Sequence, residues 1–103
     1  MLIHTVFFWL RQDLTPAQRA TFVTELRRLT QLAYLDQCHV GPPAALEKRP
    51  VVDNSYDFGL HVRFKTLADH DFYQSKCPDH ARFVNTCKSL WERVVVYDFA
   101  PSF

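Results

Sequence analysis

The sequence predicts an α+β domain: a four-stranded antiparallel sheet with two helices on one face, in β-α-β-β-α-β order. Three observations carry this. Strand-like and helix-like periodicities follow one another in that order, the first strand is apolar on both faces, and Pro78 interrupts the second helical stretch. With 103 residues the chain makes one domain, spanning 1–103.

Leu2 to Leu10 is rich in β-branched and aromatic residues and reads as a strand. His4, Val6, Phe8 and Leu10 alternate with Ile3, Thr5, Phe7 and Trp9, and both sets are largely apolar. A strand wetted on one side alternates apolar with polar, so this one is covered on both. Thr15-Pro16-Ala17-Gln18 then opens a helix. Threonine caps it, proline occupies the first helical position, and glutamine three residues after the cap reaches back. The apolar stripe Phe22, Val23, Leu26, Leu29 and Ala33 carries this helix to about Leu35.

A short strand follows at Gln37 to Gly41, and the proline-rich, charged segment 42–54 is a loop. Ser55 to Lys65 forms the third strand, with Phe58, Leu60, Val62 and Phe64 on one face and Asp57, Gly59, His61 and Arg63 on the other. Thr66 caps the second helix, which stops near Pro78 because proline removes a backbone donor and restricts the residue before it. Helix resumes with His80, Phe83, Val84, Cys87 and Trp91 on one side, and Arg93 to Phe99 is the last strand. The order is that of a ferredoxin-like, split βαβ fold.

Both helices cover the same face, which leaves Phe7, Trp9 and one side of the valine run 94–96 bare. So large an apolar patch suits burial against a second copy, and a homodimer closing an α+β barrel is expected.

Composition narrows the function classes. Hydrophobic residues make up 48 % and aromatics 15 %, enough for a packed core, and two glycines argue against a loop-rich chain. Twelve basic and eleven acidic residues give a net charge of +1, without the footprint of a nucleic-acid or anionic-membrane binder. Cys38, Cys77 and Cys87 are odd in number and lack C-x-x-C spacing, so free thiols are expected rather than disulfides or zinc ligands. No H-x-H, H-x-x-x-H or H-E-x-x-H spacing supports a metal, and no glycine-rich loop supports a bound phosphate. The apolar run Ile3 to Leu10 is too short to span a bilayer and lacks the flanks of a signal peptide, so a cytoplasmic location is expected.

Three aromatic side chains are candidates for chemistry. His80 heads a helix, where the positive dipole end favours neutral imidazole, and its stripe neighbours turn it inward. Tyr73 has a hydroxyl suited to hydrogen-bond a carbonyl or phenolate oxygen, and His4 shares a face with Val6 and Phe8. The competing readings are a histidine that packs the break at Pro78, an amphipathic core tyrosine and a satisfied core histidine. Val6, Phe8, Phe22, Leu26, Phe58, Leu60, Phe83 and Val84 are the expected lining of any ligand pocket between sheet and helices. His61, Arg63 and Asp57 are expected to make polar contacts on the opposite sheet face, and His39 and His70 to lie at the surface or an edge.

The opening Ile3-His4-Thr5-Val6-Phe7-Phe8, the stretch Phe72 to His80 with its tyrosine, proline and histidine, and the closing Val95-Val96-Tyr97-Asp98-Phe99 together resemble the stress-responsive dimeric α/β-barrel (Dabb) family. The resemblance spans essentially the whole chain. It implies a homodimeric barrel with a pocket in each protomer and, by similarity to the family's plant polyketide cyclase, olivetolic acid cyclase, a tyrosine and a histidine acting without metal or cofactor. Three departures set this chain apart from that cyclase. Tyr73 and His80 stand seven positions apart, one more than in the cyclase, Phe58 replaces a histidine, and Cys77 replaces the histidine usual before the proline.

Two functions remain open. One is cofactor-free acid–base chemistry on, or binding of, a small apolar, aromatic or polyketide-like molecule. The other is a non-enzymatic stress-type dimer with a structural role. A cavity touching Tyr73, His80 and His4 favours the first, and a solid helix–sheet interface the second. An RNA-binding reading of the same element order fails, because Phe58 and Phe64 face the helices rather than the open sheet.

Overall fold

The computed structural model describes residues 1–102; the expected domain runs to residue 103, which lies outside the described residues. Four strands, β1 (Leu2–Leu10), β2 (Gln37–Gly41), β3 (Phe58–Phe64) and β4 (Trp91–Phe99), form one antiparallel sheet in the order β2-β3-β1-β4. Three helices, α1 (Pro16–Arg28), α2 (Leu67–Ser75) and α3 (Pro78–Cys87), complete a ferredoxin-like α+β fold. No helix among the described residues is long and apolar enough to cross a membrane.

Local chemistry sets the helix ends. Thr15 and Gln18 form a reciprocal capping box, with Gln18 N–H donating to the Thr15 hydroxyl at 3.2 Å and Thr15 N–H to the Gln18 side chain at 2.9 Å. The first helix is shorter than its apolar stripe suggests. It ends at Arg28 and tightens into a 3₁₀ turn over Leu29–Gln31, rather than running to Leu35. The Thr30 hydroxyl donates to the Arg27 carbonyl at 2.7 Å and so competes for the acceptor that a continuing helix would use. At the break between α2 and α3, Cys77 is extended and Pro78 takes the first helical position, while the N–H groups of Lys76 and Cys77 both donate to the Phe72 carbonyl.

Two strand starts differ from the sequence reading. β3 begins at Phe58 rather than Ser55, because Ser55 is held in a turn by its backbone and hydroxyl bonds to Asp53. β4 begins at Trp91, which leaves the helix for the sheet after a turn closed by the Leu90 N–H on the Cys87 carbonyl. There Trp91 stands opposite Leu10 and packs on Phe8 and Phe83.

The core lies between the sheet and the helices. Phe8, Phe22, Leu26, Leu60, Val62, Phe64, Tyr73, Phe83 and Cys87 are buried in it. Phe8, at the centre, meets Phe22 and Phe83 edge-on with ring centres 5.3 and 5.7 Å apart. Burying side chains of this size stabilises by roughly 1.5–3 kcal/mol each, before entropy costs. Arg82 reaches the buried Glu25 with two N–H donors at 3.0 and 3.2 Å, which ties α3 to α1.

The opposite sheet face carries Phe7, Trp9, Val95 and Tyr97, and part of it is not bare. Tyr56 from the 42–57 connection packs on Phe7 and Trp9, with ring centres 4.7 and 6.3 Å apart, and the Arg93 guanidinium lies 4.3 Å over Trp9. Tyr97 and Phe99, at the other end, remain 63 % and 59 % exposed.

Candidate functional site

A cavity of about 170 Å³ opens between β1, β4 and the α2–α3 break. His4, Tyr73 and His80 all line it, together with Val6, Phe8, Leu60, Phe83 and Val84. Period-two alternation along β1 puts His4, Val6 and Phe8 on this side, and helical spacing through the break turns Tyr73 and His80 toward them. Their rings form a chain, with His4 to Tyr73 centres at 6.2 Å and Tyr73 to His80 at 4.3 Å.

Phe22, Leu26 and Phe58, expected among the lining residues, do not reach the cavity. Phe22 and Leu26 are fully buried on the core side of α1, and Phe58 packs on Phe22 at 5.7 Å between ring centres with the Arg19 guanidinium 5.5 Å from its ring. Gln74, Trp91, Val94 and Val96 line the cavity instead. The β4 members follow from the register, since Trp91, Val94 and Val96 stand opposite Leu10, Phe8 and Val6.

The polar groups around the cavity have contrasting environments. The Tyr73 hydroxyl is buried and has no hydrogen-bond partner. Burial first, then the Cys38 and Cys77 thiols, push its pKa well above the ordinary phenol value, so it is a donor and not a phenolate near neutrality. His80 is shifted the other way. Burial, and then the neighbouring His4, lower its pKa and favour the neutral imidazole. His4, 5 % exposed, meets the Asp98 carboxylate with Nδ1 to Oδ1 at 2.5 Å. An ionised Asp98 only accepts, so Nδ1 is the donor in this pair.

His70, expected at the surface or an edge, is half-buried, and its ring meets His4 edge-on with centres 5.6 Å apart. Its Nδ1 lies 3.1 Å from Asp71 Oδ1. One potential ligand atom from each of His4, His70 and Asp98 lies within 4.8 Å of the others. Sequence spacing is blind to this group because its members come from β1, α2 and β4. The pairing of the first and last strands is the one sequence signal that brings His4 opposite Asp98.

The remaining polar residues lie elsewhere. On the other sheet face His61 Nδ1 is 3.2 Å from the Thr5 hydroxyl and stacks beside the exposed His39, while Arg63 pairs with Asp36 at 2.5 Å. Asp57 accepts a hydrogen bond from the Leu10 N–H at 2.7 Å. The three cysteines are free thiols, and burial pushes Cys38 and Cys87 up to about 11, which keeps both protonated.

The same fold recurs in solved structures. A dimeric ferredoxin-like protein of unknown function from Thermobifida fusca superposes with a TM-score of 0.76 at 21 % identity, over 97 % of this chain and 90 % of that one. A Dabb family protein from Mesorhizobium loti gives a TM-score of 0.75 at 21 % identity, covering 99 % and 97 %. The hydroxynitrile lyase of Passiflora edulis gives 0.72 at 20 % identity, covering 99 % and 95 %. No curated protein matches the chain. The family model described as the stress responsive A/B barrel domain matches residues 2–101, and the chain belongs to that family.

Proposed function

We propose that this protein is a cytoplasmic homodimer in which each protomer binds a small aromatic or polyketide-like molecule and moves a proton on it without a cofactor. The observation that carries the reading is a cavity lined jointly by His4, Tyr73 and His80, beside which the Tyr73 hydroxyl is buried without a partner. Leaving such a group unpaired costs about 1–3 kcal/mol, and a ligand oxygen would relieve that cost.

Tyr73 donates to a carbonyl or phenolic oxygen of the ligand and stabilises negative charge that develops there. The neutral His80, and His4 oriented by Asp98, are the two bases available to take a proton from the adjacent carbon or hydroxyl. The apolar walls Val6, Phe8, Leu60, Phe83 and Val84 hold the ring and keep water out. Size limits the ligand. A dry cavity of about 150 Å³ takes up benzene, so one of about 170 Å³ fits a single substituted ring, and longer substituents leave past the half-exposed Val96. That a hydroxynitrile lyase has this fold supports an enzymatic reading over a purely structural one.

The homodimer reading draws on the exposed Tyr97 and Phe99 and on the half-buried Phe7 and Trp9 beside them. The similar Thermobifida fusca protein, described as dimeric, also supports it.

The test is calorimetric binding of phenol to the wild-type protein and to Tyr73→Phe. Saturable binding weakened about fivefold or more by the substitution supports the reading. Equal affinity in both proteins contradicts it.

A further inference from the structure

We infer that His4, His70 and Asp98 form a binding site for a first-row divalent metal ion, with zinc the best fit. Two imidazoles and one carboxylate, held by three different elements, converge to within 4.8 Å. Three protein ligands of this mixed kind are the donor set of open zinc sites, where a fourth position is left for water or a ligand. The same two-histidine, one-carboxylate set also serves other first-row metals, which makes Co²⁺ a usable spectroscopic stand-in.

The distances suit an ion after small movements. Zinc bonds of about 2.0–2.1 Å put two tetrahedral ligand atoms roughly 3.3 Å apart. The His4–Asp98 contact of 2.5 Å is tighter than that and the span of the group is wider, so Asp98 must swing out and His70 must come in. Asp98 has the freedom to do so, with its side chain 42 % exposed, whereas His4 is fixed at 6 %. The ion takes the place of the proton between His4 Nδ1 and Asp98 Oδ1. Two coordinate bonds form, the Nδ1–H bond breaks, and its proton is taken up at Nε2 of the same ring, which stays a neutral imidazole.

A second observation points the same way. Asp71 Oδ1 stands 3.1 Å from His70 Nδ1, the carboxylate-to-imidazole contact that fixes the tautomer of metal-bound histidines and frees the other ring nitrogen for the metal. The inference does not depend on the proton-transfer reading. It constrains it, because the ion would occupy the His4–Asp98 pair that this reading uses as a base.

The experiment titrates the protein with Co²⁺, followed by the visible absorption of the coordinated ion, and with Zn²⁺, followed by calorimetry. One ion per protomer is expected, with a dissociation constant in the micromolar range or tighter and a rise in thermal midpoint on loading. His70→Gln and Asp98→Asn are each expected to weaken binding by more than about tenfold, and Asp71→Asn by about 10-fold to 100-fold. His39→Ala and His61→Ala leave the affinity unchanged, and Tyr73→Phe retains the ion while binding phenol more weakly. Circular dichroism confirms that each variant is folded. Absence of saturable binding, or binding insensitive to both His70→Gln and Asp98→Asn, overturns the inference.

Discussion

His4 on β1 and Asp98 on β4 stand directly opposite each other in the antiparallel ladder, and their side chains meet at 2.5 Å across 94 residues of sequence. The contact joins the first and last strands at the rim of the cavity and fixes the face that the His4 ring presents. Replacing Asp98 by Asn removes the anionic acceptor and leaves the shape intact. The expected cost is about 1 kcal/mol, at the low end for a charge-assisted hydrogen bond because Asp98 is partly in water. A shift of the denaturant midpoint at constant slope reads it, and an unchanged midpoint would mean that the pair contributes nothing.

Tyr73→Phe is expected to leave the free protein as stable as wild type, or more stable by up to about 1 kcal/mol. The substitution deletes a buried hydroxyl that has no partner and keeps the ring that packs on Phe64. The same change weakens ligand binding, so stability and function move in opposite directions. Thermal unfolding decides the first half of this. A destabilisation above 1 kcal/mol would show that the hydroxyl is satisfied in the free protein.

The lowered pKa of His80 makes a signed prediction about acid stability. Its folded value lies below the ordinary histidine value of about 6.5, so the unfolded chain takes up a proton that the fold resists. The stability tied to this site is whole above pH 6.5 and is lost as pH falls through the lower, folded value. His80→Gln removes that loss. Between pH 7 and 5 its stability should fall less steeply than that of wild type, as measured by urea unfolding at each pH. Parallel profiles would place His80 in a wetter setting.

Trp9→Asp is expected to prevent the proposed dimer from forming, because it sets an unpaired carboxylate on the face that a second copy would cover. Trp9 shares that face with Phe7, Tyr56 and Arg93, and its indole N–H donates to the Ser55 hydroxyl. Light scattering at micromolar concentration reads the mass. A variant that stays dimeric would move the interface to another surface.

Much of the architecture was legible in short-range pattern. Alternation along Leu2 to Leu10 separates the helix-facing side from the outer one, and Thr15-Pro16-Ala17-Gln18 marks the start of α1 by its capping chemistry. The broken second helix follows from Pro78 alone. Features that depend on competition or distance were not legible. The end of α1 turns on one threonine hydroxyl reaching back to Arg27, and the start of β4 on a turn after Cys87 that no glycine or proline marks. Periodicity also tells which side chains point inward but not where packing leaves space. Phe22 and Leu26 point inward like Phe83, yet they do not reach the cavity that Phe83 borders. The grouping of His4, His70 and Asp98 depends on strand pairing and on how α2 docks, which no local window contains.

A crystal structure of the protein soaked with phenol tests the central claim most directly. The account predicts one phenol ring in the cavity bounded by Phe8, Leu60, Phe83 and Val84, with its oxygen within hydrogen-bond distance of the Tyr73 hydroxyl. A cavity closed by side chains, or phenol bound only on the outer sheet face against Phe7 and Tyr97, would contradict it.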